Sequence, residues 1–183
     1  FAKLTKKIQL KISPSDHPKY DELKSMLHEV VAISDKLEFL EDQSRRTGLR
    51  FEILCDQVST GLVFRAIPGG HEFTTFILAI LNASGLGKMP DRSMVEKISC
   101  IKGPLYIKTY MSLSCEVCPA VIQAVNQIAL SHDDFVHEII DGDLVQEEVQ
   151  ALNIQGTPAL FAGEKLLHSG QATFLQLLEK IDI

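Results

Sequence analysis

A chain of 183 residues, 45% hydrophobic and 23% charged, can bury roughly 70% of its unfolded surface and is expected to fold without staples. A net charge of −6, with Lys and Arg scattered singly, excludes a phosphate-tracking surface and hence nucleic acid as the main partner. No apolar run reaches the ~20 residues that span a bilayer and FAKLTKKIQL lacks the core of a signal peptide, so no membrane partner and a cytoplasmic setting are expected. Phe1 in place of an initiating Met leaves a processed or excised piece as an open reading.

In chain order, KIQLKIS (Lys7 to Ser13) alternates as a strand does and stops at Pro14. Leu23, Met26, Leu27, Val30 and Val31 recur at helical intervals and predict one apolar helix face. KLEFLED, RFEILC and LVFRA read as short strands, GGHEFTTFILAILNASG as a buried helix closed by Gly85, and Asp91 to Ile98 as a helical connector. From Pro104 the rhythm repeats. PLYIKTYM is a strand, CPAVIQAVNQIAL a helix, DFVHEIID a strand and DLVQEEVQAL a helix; PALFA and EKLLH are strands around Gly163, and TFLQLLEKI closes the chain. The pattern predicts an α/β fold with mixed sheets flanked by helices. A slide of 98 positions puts Ile8 to Ile12 on Tyr106 to Tyr110, and Leu23, Leu27 and Val30 on Val121, Val125 and Ile128. The chain therefore reads as two tandem copies of one unit, residues 1–101 and 102–183.

Four cysteines are too few for a disulfide framework, so the close pair in SLSCEVCPAV (Ser112 to Val121) points to metal binding or redox chemistry. Cys115 and Cys118, followed by His132 and His137, meet a zinc spacing. Geometry rejects it. The predicted helix between Cys118 and His132 separates its ends by about 20 Å, whereas ligands of one zinc all lie within ~2.3 Å of the metal. Redox chemistry needs what the sequence does supply: a strand, a polar turn, and Cys115 at the mouth of a helix with Cys118 further in, within disulfide reach. Helix-end amides and dipole favour a thiolate at Cys115, and C-x-x-C thiols at such places titrate at about 3.5–7.5. Cys118 is expected to be the resolving thiol. Pro119 is tolerated in a first turn.

GTPALF (Gly156 to Phe161) carries Thr157-Pro158 just before a strand. Together with the C-x-x-C, it resembles thioredoxin-like folds, in which a cis proline packs against the dithiol and its neighbour offers backbone hydrogen bonds to an extended substrate. In the first copy His17-Pro18-Lys19-Tyr20 takes the place of Cys115 to Cys118, and the region near Thr60-Gly61 that of Thr157-Pro158. That copy lacks a dithiol. Cys55 and Cys100 have no close sequence partner and read as structural.

GHEFTTFILAIL, YMSLSCEVCPAVIQAVN, IDG and GTPALF together resemble the N-terminal domain of the flavoprotein component, the F subunit, of bacterial alkyl hydroperoxide reductase. The resemblance covers nearly the whole chain. It implies a relay in which a flavin reductase region, binding FAD and NADH, passes electrons to the dithiol, which reduces the disulfide of a peroxiredoxin. This chain has no G-x-G-x-x-G and ends near where the family's linker begins, so it is expected to hold no flavin, cofactor or metal and to show no NADH-dependent activity alone. By position, the resemblance implies Cys115 as attacking thiol, Cys118 as resolving thiol, and Glu72 as a first-unit residue approaching the dithiol. Glu72 alone reads only as a first-turn acid complementing the helix dipole, and His71 as structural.

Many members carry His-Asn between the cysteines, where this chain has Glu116-Val117. An anionic Glu116 opposes a neighbouring thiolate, so the couple is expected to be more reducing than in those relatives. The rival readings are a free-standing glutaredoxin-like protein disulfide oxidoreductase, whose usual second active pair is missing here, and a non-catalytic interaction module.

Overall fold

The structure, a computed structural model, describes residue 1 and residues 3–182. Its strands are β1 (Ile8–Ile12), β2 (Leu37–Glu41), β3 (Phe51–Cys55), β4 (Val58–Arg65), β5 (Leu105–Met111), β6 (Phe135–Asp141), β7 (Ala159–Ala162) and β8 (Lys165–Ser169). Its helices are α1 (Tyr20–Val31), α2 (Glu72–Ala83), α3 (Arg92–Ser99), α4 (Cys118–Ala129), α5 (Gln146–Ala151) and α6 (Phe174–Ile181). These match the expected elements in order, but β4 begins at Val58, four residues before LVFRA, and one further element departs. DLVQEEVQAL divides into a 3-10 turn, Gly142–Leu144, and α5, because Val145 leaves helical geometry at φ −137° and ψ 47°.

All eight strands form one sheet in the order β2-β1-β3-β4-β6-β5-β7-β8. The first and last four repeat one pattern: a parallel pair (β2 with β1, β6 with β5), then two antiparallel steps. The copies do not keep separate sheets. Edge strands β4 and β6 pair in parallel from Leu62 opposite His137 to Arg65 opposite Ile140, so two exposed edges satisfy each other's backbone groups. Gly61 makes that approach possible. Its φ is +76°, and a Cβ there would lie 2.1 Å from the Phe135 carbonyl oxygen. Gly61→Ala is expected to cost about 3 kcal/mol through that clash and the strained backbone. Urea unfolding of the variant checks it.

Side-chain alternation assigns the faces. Ile8, Leu10, Ile12, Phe51, Ile53, Leu62 and Phe64 join α1, α2, α4 and α6 in one core. On the other face Tyr110, Ile140, Ala159 and Phe161 pack under α5. Among the described residues the first half has no counterpart of α5, and that face carries ion pairs such as Lys11 with Glu52 at 3.1 Å. Across the joint, Arg50 reaches Glu138 and Arg65 reaches Glu148, each at 2.9 Å; Lys108 of the second half adds a bond to the same Glu148 at 3.0 Å. Burial would raise the Glu148 carboxyl, but its bonds from Arg65, Tyr110 and Lys108 hold it down at about 2.

The slide of 98 is correct for the helices: Leu23, Leu27 and Val30 are buried on α1 as Val121, Val125 and Ile128 are on α4. It is wrong by one for β1 on β5. Leu10 pairs with Phe39 and Ile107 with His137, so matching Phe39 to His137 puts β1 on β5 with a shift of 97. A one-residue slip inverts the faces, and the slide of 98 lays core-facing Leu10 on outward-facing Lys108. The dithiol-bearing half therefore has one residue more between strand and helix. The same register corrects the counterpart of Thr157-Pro158. Phe51 opposes Ile12 as Leu160 opposes Thr109, which makes it Gly48-Leu49 rather than Thr60-Gly61.

Candidate active site

β5 ends at Met111 and the chain turns through Ser112 to Val117 before α4 begins at Cys118. The Cys115 N–H closes that turn on the Ser112 carbonyl at 3.0 Å. Cys118 is thus the first helical residue rather than one turn inside, and Pro119 follows where a missing N–H costs nothing. No side chain caps α4, so its first amides are free to face the sulfurs.

Cys115 and Cys118 are joined as a disulfide, with Cα atoms 5.5 Å apart. Their exposures differ. Cys115 is half-buried and Cys118 wholly buried, so an incoming group meets only the Cys115 sulfur. The Cys118 N–H donates to Cys115 Sγ at 3.1 Å, a bond that favours negative charge on that sulfur once the disulfide opens. Cys115 Sγ lies 3.6 Å from the Thr157 carbonyl oxygen. The Thr157-Pro158 peptide is cis, Pro158 is buried, and its carbonyl accepts the Gly170 N–H at 2.8 Å, which ties the proline to the end of β8. Glu116 is exposed between the cysteines.

Glu72 comes from the other half of the chain. It opens α2, and that helix end is held on the active-site loop: the His71 N–H donates to the Leu113 carbonyl at 3.4 Å, and Gly70, at φ +52°, has no room for a Cβ against the same oxygen. At the other end, Gln127 of α4 donates to the Lys88 carbonyl, beyond the end of α2. The two helices therefore run side by side in one direction, with Glu72 and Cys118 at the same end. The Glu72 side chain is buried, and among the described residues neither carboxyl oxygen has a hydrogen-bond partner. Burial pushes it up to about 7; the Thr75 hydroxyl opposes that rise without closing a bond of ordinary geometry. His71 is exposed.

The zinc-spaced histidines are engaged elsewhere. His132 accepts the Asp134 N–H on Nδ1 and contacts the Ile101 carbonyl through Nε2 at 2.9 Å. His137 is buried between Thr109 and Asn126. Those last two residues carry no signal in the sequence; a polar residue on the inward face of the apolar strand DFVHEIID is the available clue. Cys55 is half-buried, with its thiol raised first by burial, and Cys100 is exposed; neither is disulfide-bonded. Among the described residues no helix is long and apolar enough to cross a membrane.

A disulfide that opens to one accessible and one buried sulfur at a helix end, facing a cis proline at the head of an antiparallel strand, belongs to dithiol–disulfide oxidoreductases of thioredoxin-like fold. The Thioredoxin domain family model matches residues 105–182. The F subunit of alkyl hydroperoxide reductase in Escherichia coli (strain K12) is 36% identical over 181 residues, covering 98% of this chain and 35% of the relative. The crystal structure of the NTD_N/C domain of alkylhydroperoxide reductase AhpF from Enterococcus faecalis (V583) superposes with a TM-score of 0.90 at 25% identity, covering 98% of this chain and 92% of that one. A protein disulfide oxidoreductase from Aeropyrum pernix superposes at 0.86 with 13% identity, over 98% of this chain and 86% of its own, a likeness of fold alone. The chain belongs to the family of tandem thioredoxin-like domains that form the N-terminal region of AhpF, the F subunit of alkyl hydroperoxide reductase. It spans about a third of the length of the curated relatives it matches.

Proposed function

We propose that this chain is the electron-relaying dithiol domain of a peroxide-detoxifying system, accepting two electrons from a flavin reductase region and delivering them to the disulfide of a peroxiredoxin. One observation carries the reading: the half-exposed Cys115 sulfur, hydrogen-bonded by the Cys118 N–H, beside the Thr157 carbonyl. In the reduced chain the Cys115 thiolate attacks one sulfur of the partner's disulfide, and the partner's other sulfur leaves as a thiolate. The Cys118 thiol then loses its proton and attacks Cys115 Sγ. The intramolecular disulfide forms and the partner leaves with both sulfurs reduced. Glu72, with a carboxyl near neutral pKa at the same helix end, is the proposed acceptor of the Cys118 proton. Thr157 and Pro158 supply the edge along which the partner's extended segment lies.

The units of this reading are residues 1–101, without a dithiol, and 102–183, with it; the repeated strand order supports the division. Flavin and nicotinamide chemistry is assigned to the part of the longer relatives outside this chain, and the setting to the cytoplasm. Glu116→His is expected to lower the Cys115 thiol pKa and make the couple less reducing. Equilibration with glutathione measures it, and an unchanged potential removes Glu116 from the tuning. The functional reading is tested by mixing the reduced chain with a disulfide-form peroxiredoxin or with oxidised glutathione. A rate constant at least about 100-fold larger for the peroxiredoxin is expected. Equal rates reassign the chain to general disulfide reduction.

A further inference from the structure

One buried polar cluster lies outside the chemistry described above. His137, in the middle of β6, is fully buried. Its Nδ1 lies 2.7 Å from Asn126 Oδ1 on α4, and its Nε2 lies 2.7 Å from Thr109 Oγ1 on β5. An amide oxygen only accepts, so the ring proton sits on Nδ1 and the Thr109 hydroxyl donates to Nε2. Burial keeps the imidazole neutral.

We propose that His137 is a positioning residue for the dithiol: one imidazole ties the strand that enters the active-site loop to the helix that leaves it. The inference rests on reading Cys115 as the attacking thiol. β5 runs from Thr109 into the loop at Ser112, and α4 carries Asn126 two turns beyond Cys118, so both roots of the loop are bonded to the same ring. Apolar contacts from Val121, Val125 and Ile128 hold α4 on the sheet but have no preferred direction. Hydrogen bonds weaken steeply with misalignment, so two of them through a rigid ring set where the Cys118 N–H lies against Cys115 Sγ. Stability alone does not call for the arrangement. A neutral buried hydrogen bond nets about 1 kcal/mol, and apolar groups of the same shape serve nearly as well.

The first half of the chain provides the comparison. Register and helix shift put Ile12, His28 and Phe39 where Thr109, Asn126 and His137 stand. There Ile12 is fully buried and the rings of His28 and Phe39 stack 4.0 Å apart. The half without a dithiol fills these places with a buried aliphatic residue and a ring stack that leaves His28 exposed, and the half with one fills them by directional hydrogen bonds.

Thr109→Val removes the hydroxyl with little change of shape, and Thr109→Ser retains it. In a Cys55→Ser, Cys100→Ser background, the Cys115 thiolate is titrated by ultraviolet absorbance and the reduction of oxidised glutathione is followed across pH. Thr109→Val is expected to raise the Cys115 pKa by roughly half a unit or more and to slow exchange about threefold at acidic pH, with the rate recovering above the new pKa. Thr109→Ser is expected to follow the parent. A Thr109→Val chain that melts lower but keeps the parent titration and pH profile overturns the inference. Should Thr109→Val fail to fold, nitrogen NMR of the parent decides: opening the disulfide shifts the His137 ring signals if the ring is coupled to it, and identical signals in both redox states overturn the inference. A parent that exchanges no faster than Cys115→Ser overturns the functional reading and this one together.

Discussion

Cys115→Ser is expected to lower the rate of disulfide exchange by about 10³-fold or more, because a serine hydroxyl is not ionised at neutral pH and the buried Cys118 sulfur cannot be reached. Cys118→Ser is expected to behave differently. Its Cys115 retains the helix-end position and attacks once, but nothing then releases the partner, so a one-to-one mixed disulfide accumulates. Mass spectrometry of each variant with an oxidised peroxiredoxin, in the background lacking Cys55 and Cys100, reads both results. A Cys115→Ser chain that still turns over in that background assigns the chemistry to Cys118.

Glu72→Gln is expected to make the chain more stable and slower at once. The folded-state carboxyl titrates at about 7, above the ordinary 4.5, so the folded chain holds this proton more tightly than the unfolded one. Stability from the group is then complete below about 4.5 and is lost as pH rises through 7. At 1.36 kcal/mol per unit, the ionised carboxylate costs the native state about 3 kcal/mol at pH 8. Removing the charge recovers most of that at pH 8 and almost none at pH 4.5, which urea unfolding at the two pH values measures. His137 works in the opposite sense. Its folded pKa is about 3 against 6.5, so its contribution is lost as pH falls below 6.5; being common to both chains, it cancels in their difference. Kinetically, loss of a proton acceptor is expected to slow the Cys118 step by roughly 10²-fold. A variant that gains stability but keeps its exchange rate removes Glu72 from the mechanism and leaves an unpartnered buried acid without a role.

The cysteine pair and the proline are readable because each depends on neighbours in sequence. A strand, a polar turn and an apolar-faced helix put Cys115 at a helix end whatever the rest of the chain does. Glu72 is reached only through family resemblance. Its local context predicts a solvated first-turn acid, whereas it is buried at a helix end held on a loop some forty residues away. Thr109 and Asn126 are inconspicuous in an apolar strand and helix, and His137 stands out only for a zinc spacing that its real partners contradict.

Hydrophobic periodicity, turn residues and helix ends act over a few residues, and so the order of strands and helices, the second half's dithiol and the loss of the first half's were present in the amino-acid sequence itself. Only the tertiary structure decided the rest. The one-residue difference between strand and helix shifts appears in pairing register, where a single slip turns a side chain to the opposite face. The fusion of β4 to β6 turns on Gly61 meeting a carbonyl more than seventy residues away, and the character of Glu72 on which groups exclude water from it. Those are contacts between distant segments, and no local pattern encodes them.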